Sequence, residues 1–210
     1  MGNNLVITND GSHSIYNHKI NETYHSKHGA IVESEHVFIK NGFKAVNKKE
    51  LSILDVGFGT GLNALLTSQQ AESKRVKVDY HTMELYPVKK ERYVQLNFTD
   101  LIGLETENLL ELHNCKWEEK EEISEYFTLT KNEISLEEYQ TNVNIIFKNQ
   151  LYSLRKNNNF ILKEGKECKR LLDLKYEDLT SMVNNIQTSV IFVSTISGFF
   201  QATKTQFAIN

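Results

Sequence analysis

The sequence predicts an α/β fold with a parallel central sheet, and three observations predict it. Strand-like and helix-like segments alternate from Leu51 onward; the strand Leu51 to Val56 runs straight into three alternate glycines and a helical stripe; and a second strand-like stretch closes on an acid, Glu84. Alternation of this kind favours parallel neighbours joined by crossover helices. The 210 residues suit one globule that buries most of its apolar surface.

In chain order, Leu5-Val6-Ile7 and His36-Val37-Phe38-Ile39 read as short strands on either side of the turn Asn9-Asp10-Gly11-Ser12. Residues 1–50 are therefore expected to form an N-terminal β-hairpin extension of the same globule, and residues 51–210 its main domain. Leu62, Leu65 and Leu66 follow the glycines at helical spacing, and the helix continues through Glu72. Val76, Val78 and Tyr80 alternate as a second strand ending near Met83 and Glu84. Pro87 suits the first turn of a helix from Val88 to Leu96, because it lacks the N–H that is unpaired there anyway. A helix around Glu107 to His113, a strand from Tyr126 to Thr130 and a further strand from Val143 to Phe147 complete the alternation.

Composition narrows the function. With 40% hydrophobic residues and no dominant low-complexity block, the chain is neither collagen-like, mucin-like nor disordered. Its strongest apolar run, Ser189 to Phe200, is broken by Ser194, Thr195, Ser197 and Gly198, short of a bilayer span. The first twenty residues hold Asn9, Asp10, His13 and His18 where a secretory signal has an apolar core, so a cytoplasmic location is expected. Cys115 and Cys168 are too few for a disulfide framework and are expected as free thiols. Five of the seven histidines fall between His13 and His36, and His25-Ser26-Lys27-His28 resembles half of a metal site. No second half with matching spacing follows, so no metal is expected.

The net charge of −3 is uneven: residues 1–140 hold 15 Lys/Arg against 22 Asp/Glu, residues 141–210 hold 9 against 5. The acidic stretch from Leu104 to Gln140 repels phosphate. A nucleic acid would then lie on Lys148 to Lys175, where Arg155 and Lys156 are candidate contacts; the plainer alternative is a solvated helix face.

The segment Leu54-Asp55-Val56-Gly57-Phe58-Gly59-Thr60-Gly61-Leu62 carries the chemistry. Alternate glycines between a strand and a helix let backbone approach a ligand closely and aim helix N–H groups at it. A dinucleotide fingerprint needs glycine where Leu62 stands, so the G-x-G-x-G spacing favours S-adenosylmethionine over a nicotinamide cofactor. Glu84, 23 residues beyond Gly61, is placed to accept both hydroxyls of a ribose, and Asp55 lies near the cofactor's cationic end. The cofactor-binding set is thus Asp55, Gly57, Gly59, Gly61 and Glu84. Its alternative is a glycine turn needed only for close helix packing.

Thr8-Asn9-Asp10-Gly11-Ser12, then Glu22-Thr23-Tyr24-His25-Ser26-Lys27-His28-Gly29-Ala30, Val37-Phe38, the glycine segment through Asn63, and Glu84-Leu85-Tyr86-Pro87 together resemble the methyltransferase part of the MnmC/MnmD family, over roughly residues 5 to 130. The resemblance implies a Rossmann-like S-adenosylmethionine-dependent methyltransferase sheet. It also implies N-methylation of 5-aminomethyl-2-thiouridine at the tRNA wobble position, with tRNA as partner and a separate oxidase acting upstream as in fused members. It places Asp10, Ser12, Tyr24 and His25 at the mouth of the cofactor pocket; for Tyr24 and His25, packing of the hairpin against the sheet is the alternative.

The ending departs from that pattern. Where the family carries an acidic D-x-F-x-P motif after its fourth strand, Asn144-Ile145-Ile146-Phe147 continues as Lys148-Asn149-Gln150-Leu151-Tyr152, without aspartate, proline or tryptophan. Tyr24 and His25 are then the remaining catalytic candidates. Val190 to Thr195 matches the family's fifth strand loosely, and residues 145–210 read either as diverged or as an incomplete sheet from a disrupted reading frame. Two rival functions follow: a cofactor-binding or interaction protein without activity, and a methyltransferase for small molecules.

Overall fold

The computed structural model of the chain describes residues 5–18 and 21–134 and, beyond them, the backbones of five strands. The N-terminal extension opens with β1 (Leu5–Ile7) and β2 (His13–Asn17), paired antiparallel with Leu5 opposite Ile15 and Ile7 opposite His13. The short β3 (Glu22–Thr23) pairs with β2. At the tight turn, the Thr8 N–H donates to Ser12 O at 2.9 Å and Gly11 takes a φ of 83°, a left-handed value that glycine adopts without strain.

His36–Ile39, expected as a strand, is helical. Helix α1 (Ala30–Ser34) runs directly into a wider, π-helical turn, Glu35–Lys40. Ala30, Ser34, Phe38 and Ile39 are all buried, at positions i, i+4, i+8 and i+9, so one helical face is apolar across the junction. Four residues of β-branched and aromatic type do not by themselves distinguish a strand from a buried helix segment.

The central sheet has the expected class. β4 (Glu50–Val56) leads through the glycines into α2 (Leu62–Lys74), which returns the chain to β5 (Lys77–Met83), parallel to β4 in register from Glu50 opposite Lys77 to Val56 opposite Met83. Leu62, Leu65 and Leu66 are fully buried, so α2 is anchored by the stripe that the sequence shows. The helix expected over Val88–Leu96 is shorter, α3 (Lys90–Tyr93), followed by α4 (Phe98–Ile102) and α5 (Thr106–Asn114). Pro87 stands before α3 rather than in its first turn. The break before α4 falls at Asn97, whose side chain accepts the His13 N–H at 2.8 Å and donates to Gly11 O at 3.0 Å, fastening the N-terminal turn to this segment. β6 (Lys120–Ser124) and β7 (Phe127–Asn132) form an antiparallel hairpin, and β7 pairs parallel with β5.

The strand at Asn144–Phe147, β8, does not extend this sheet as expected. It pairs antiparallel with β9 (Gln150–Arg155), which pairs with β10 (Asn159–Leu162) and that with β11 (Cys168–Arg170), a separate meander. The place beside β4 opposite β5 is filled instead by β12 (Ser189–Val193), parallel, with Ser189 opposite Ser52 and Val193 opposite Val56. The strand order β12-β4-β5-β7-β6, parallel except for β6, is a Rossmann-like α/β sheet. Among the described residues no helix is long and apolar enough to cross a membrane.

Candidate functional site

The strand β4 ends at the carboxyl edge of the sheet, where ligands settle in open α/β folds. There the chain turns through Gly57, Gly59 and Gly61, with φ of 98°, 51° and 76°. The turn is tied to the end of β5: the N–H groups of Gly57 and Phe58 donate to Met83 O at 2.9 and 3.1 Å, and the Gly59 N–H donates to Glu84 Oε2 at 3.0 Å. Glu84 Oε1 accepts the Tyr86 N–H at 2.9 Å. The acid at the close of the second strand therefore reaches the glycine loop directly. Glu84 is 8% exposed, and burial raises its pKa against the pull of the Tyr86, Gly59 and Leu85 amides.

A small cavity opens against this loop, lined by Tyr24, His25, Gly57, Phe58, Gly59, Thr60, Leu62 and Asn63. The N-terminal extension covers one side of it. His25 Nε2 is hydrogen-bonded to Thr60 Oγ1 at 2.6 Å, and the His25 N–H donates to Ser14 Oγ. Burial pulls the His25 pKa down to about 4, with Asp10 pushing back. Burial, helped by the Glu84 charge and opposed by Arg92, lifts that of Tyr24 to about 12. Both side chains are neutral near pH 7.

Under the loop lies Asp55, 1% exposed. Tyr80 Oη donates to its Oδ2 at 2.9 Å, but Oδ1 has no hydrogen-bond partner, and neither has Asn63 Oδ1 in the cavity wall. Burial pushes Asp55 up to about 7, against the Tyr80 and Asn63 side chains, and Glu84 adds to the rise.

Of the residues expected at the site, the structure brings together Tyr24, His25, Gly57 and Gly59 at the cavity, with Glu84 bonded to Gly59 and Asp55 beneath. Gly61 faces the other way. A Cβ there would stand 3.1 Å from His113 Nε2 and 3.3 Å from Leu109 Cδ1, so this glycine serves close packing on α5 and the left-handed cap of α2. Asp10 and Ser12, expected at the pocket mouth, are absorbed by the turn. Asp10 Oδ1 accepts from Thr8 Oγ1, Ser12 N and Ser12 Oγ; Oδ2 accepts the Val32 N–H at 3.0 Å. Ser12 Oγ also accepts the Ala30 N–H at 3.1 Å, and Ser12 is fully buried. Burial works upward on Asp10, yet the bonds from Ser12, Val32 and Thr8 outweigh it and hold the pKa at about 2. Lys156 and the Arg155 side chain lie outside the described residues, as does most of Lys148–Lys175.

Thr60 and Asn63 join the cavity without being sequence candidates. Asn63 carries a signal: a polar residue between Leu62 and Ala64 in the first turn of α2, directly after the glycines. Among the described residues no three His, Cys, Asp or Glu side chains gather as a metal centre needs.

No protein-family model matches the chain, and no curated protein does. Among solved structures it is similar to the crystal structure of MNMC2 from Aquifex aeolicus, at 26% identity and a TM-score of 0.44, over 62% of this chain and 41% of that one. The chain thus spans less than half of that protein's length. A likeness of this size leaves the functional reading to the geometry.

That geometry fits an adenosyl cofactor chemically. An unpaired buried carboxylate oxygen, an unpaired amide oxygen and a second carboxylate favour a cationic ligand bearing a diol. The pocket encloses about 10 Å³, room for little more than one water molecule, so its walls must open to admit the cofactor.

Proposed function

We propose that the chain is an S-adenosylmethionine-dependent N-methyltransferase acting on the aminomethyl group of a wobble uridine in tRNA. The observation that carries this reading is the Glu84 carboxylate at the glycine loop: the backbone N–H groups of Gly59, Leu85 and Tyr86 fix its orientation and leave acceptor capacity for a ribose hydroxyl. Gly57 and Gly59 let the loop backbone come close to a ligand, and Asp55 with Asn63 offers acceptors for an ammonium. When bound, the cofactor supplies a methyl group already made electrophilic by its sulfonium.

What remains for the protein is alignment and the exclusion of water. Tyr24 and His25 wall the cavity as neutral groups, which desolvates an incoming amine and favours its uncharged, nucleophilic form. With a pKa near 4, His25 is too weak a base to hold the released proton at pH 7. Tyr24 and His25 are therefore assigned to positioning the amine by hydrogen bonding. An RNA substrate fits the connection after β5, where Tyr86 is 75% exposed and Lys89, Lys90 and Arg92 are all exposed. An exposed ring suits stacking of a splayed base, and the cations suit its phosphates.

Calorimetric titration with S-adenosylmethionine and a methyl-transfer assay on hypomodified tRNA test this reading together. Binding that Gly59→Arg abolishes, with label on the tRNA, is the expected result. Binding without transfer would leave a non-catalytic cofactor protein, label on small molecules alone would exclude tRNA, and no binding at all would overturn the proposal. Reversing Lys89, Lys90 and Arg92 to Glu should weaken tRNA binding at least tenfold and flatten its salt dependence, with cofactor affinity unchanged.

A further inference from the structure

Met83 O ties down the start of the glycine loop through the Gly57 and Phe58 N–H groups, and the stretch from Gly59 onward depends on other tethers. Three of the loop's five residues are glycines at positive φ, a backbone with many alternative conformations. Two of these other tethers, Glu84 to Gly59 and His25 to Thr60, belong to the site itself and are the groups a ligand engages. A third comes from behind. His113, near the end of α5, stands outside the cavity lining, with its Nε2 3.1 Å from Thr60 O. A carbonyl oxygen only accepts, so Nε2 carries the proton and the ring is the neutral Nε2–H tautomer.

The His113 ring is itself fixed. It stacks on Tyr93, with centroids 4.0 Å apart and planes 11° from parallel, and meets the edge of Phe58 at 5.0 Å. Its backbone carbonyl accepts a hydrogen bond from Lys131 Nζ at 2.7 Å. Lys131 is fully buried, and its ammonium lies 5.2 Å from the centroid of Phe58 and 4.7 Å from that of Trp117. The Phe58 ring is thus held from α5 and β7, and the Thr60 carbonyl from α5. His113 and Lys131 stand outside the cavity lining, so the brace persists whether or not the cavity is filled.

We propose that His113 is a positioning residue for cofactor binding, acting through the Thr60 carbonyl to hold the glycine loop in its binding shape, with Lys131 seating His113. The inference rests on the proposed cofactor site, and the experiment separates the two. His113→Phe keeps the stack on Tyr93 and removes the N–H; His113→Gln keeps a donor at the Nε2 position and removes the ring. The dissociation constant for S-adenosylmethionine should rise about tenfold in His113→Phe, and amide hydrogen exchange across residues 57–61 of the free protein should quicken. His113→Gln should stay within about threefold of the parent on the same scale. In the transfer assay KM for the cofactor should rise while kcat is preserved, a split that general destabilisation does not produce.

Wild-type protein that binds no S-adenosylmethionine would overturn the cofactor reading. Wild-type protein that binds it, with His113→Phe binding equally well or exchanging no faster at 57–61, would overturn the brace alone. If His113→Phe does not fold, His113→Asn makes the same test, because its amide reaches only the Nδ1 position of the ring and falls short of Thr60 O.

Discussion

Asp10 and Asp55 are carboxylates in opposite surroundings: the first is saturated with hydrogen-bond donors and the second is starved of them. Asp10 receives four donors and is held at a pKa of about 2, whereas Asp55 receives the Tyr80 hydroxyl on one oxygen, keeps the other unpaired and is driven up to about 7. Burial acts in the same direction on both. The difference is the supply of donors, and it separates a carboxylate that holds the fold together from one kept ready for a ligand.

The largest expected effect falls on the saturated side. Asp10→Ala takes the shared acceptor from the Ser12 and Val32 N–H groups and from the Thr8 and Ser12 hydroxyls, and should cost about 3 kcal/mol in urea unfolding. Gly29→Ala should act through the same carboxylate, since its Cβ would stand 2.5 Å from Asp10 Oδ2 at a φ of +147°. Cofactor affinity per folded molecule should not change in either variant. A loss of binding with stability intact would break the comparison and return Asp10 to the pocket.

Asp55→Asn should move the other way. The folded pKa of about 7 lies above the unfolded value of 3.8, so ionisation of Asp55 opposes folding increasingly as pH rises from 3.8 through 7. Removing the ionisable group should stabilise the protein by about 2 kcal/mol at pH 5.5 and leave it nearly unchanged at pH 4. Cofactor binding should weaken at the same time. A destabilised Asp55→Asn at pH 5.5 would show that the unpaired oxygen is satisfied after all.

The sequence made the loop legible because its chemistry is local: strand, alternate glycines and the Leu62, Leu65, Leu66 stripe occupy sixteen consecutive positions from Leu51 to Leu66, and Glu84 follows the next strand. It made Asp10 visible but not its use, since a D-G-S turn looks the same whether its carboxylate faces a ligand or the N–H of Val32, 22 residues away. His113 and Lys131 carried no signal at all. Their meeting depends on α5 and β7 packing behind the loop, which spacing along the chain does not encode. The strand beside β4 failed for a related reason: Asn144–Phe147 and Ser189–Val193 are both apolar runs, and only tertiary pairing decides which joins a buried sheet.

The smallest effect concerns the two imidazoles on Thr60. Burial pulls both His25 and His113 down to about 4, with Asp10 opposing it at His25, and with the Thr60 carbonyl opposing and Lys131 reinforcing it at His113. Between pH 6.5 and 4 the unfolded chain takes up protons that the folded chain refuses, so stability present above pH 6.5 is lost as pH falls through this window. At pH 5.5 each histidine should account for about 1 kcal/mol of that loss. His113→Gln, which keeps the donor to Thr60 but does not titrate, should therefore narrow the gap between urea midpoints at pH 7 and pH 5.5. An unchanged gap would mean that His113 is protonated in the folded state, its ring is not the neutral donor described, and the contrast between starved and saturated groups stops at the carboxylates.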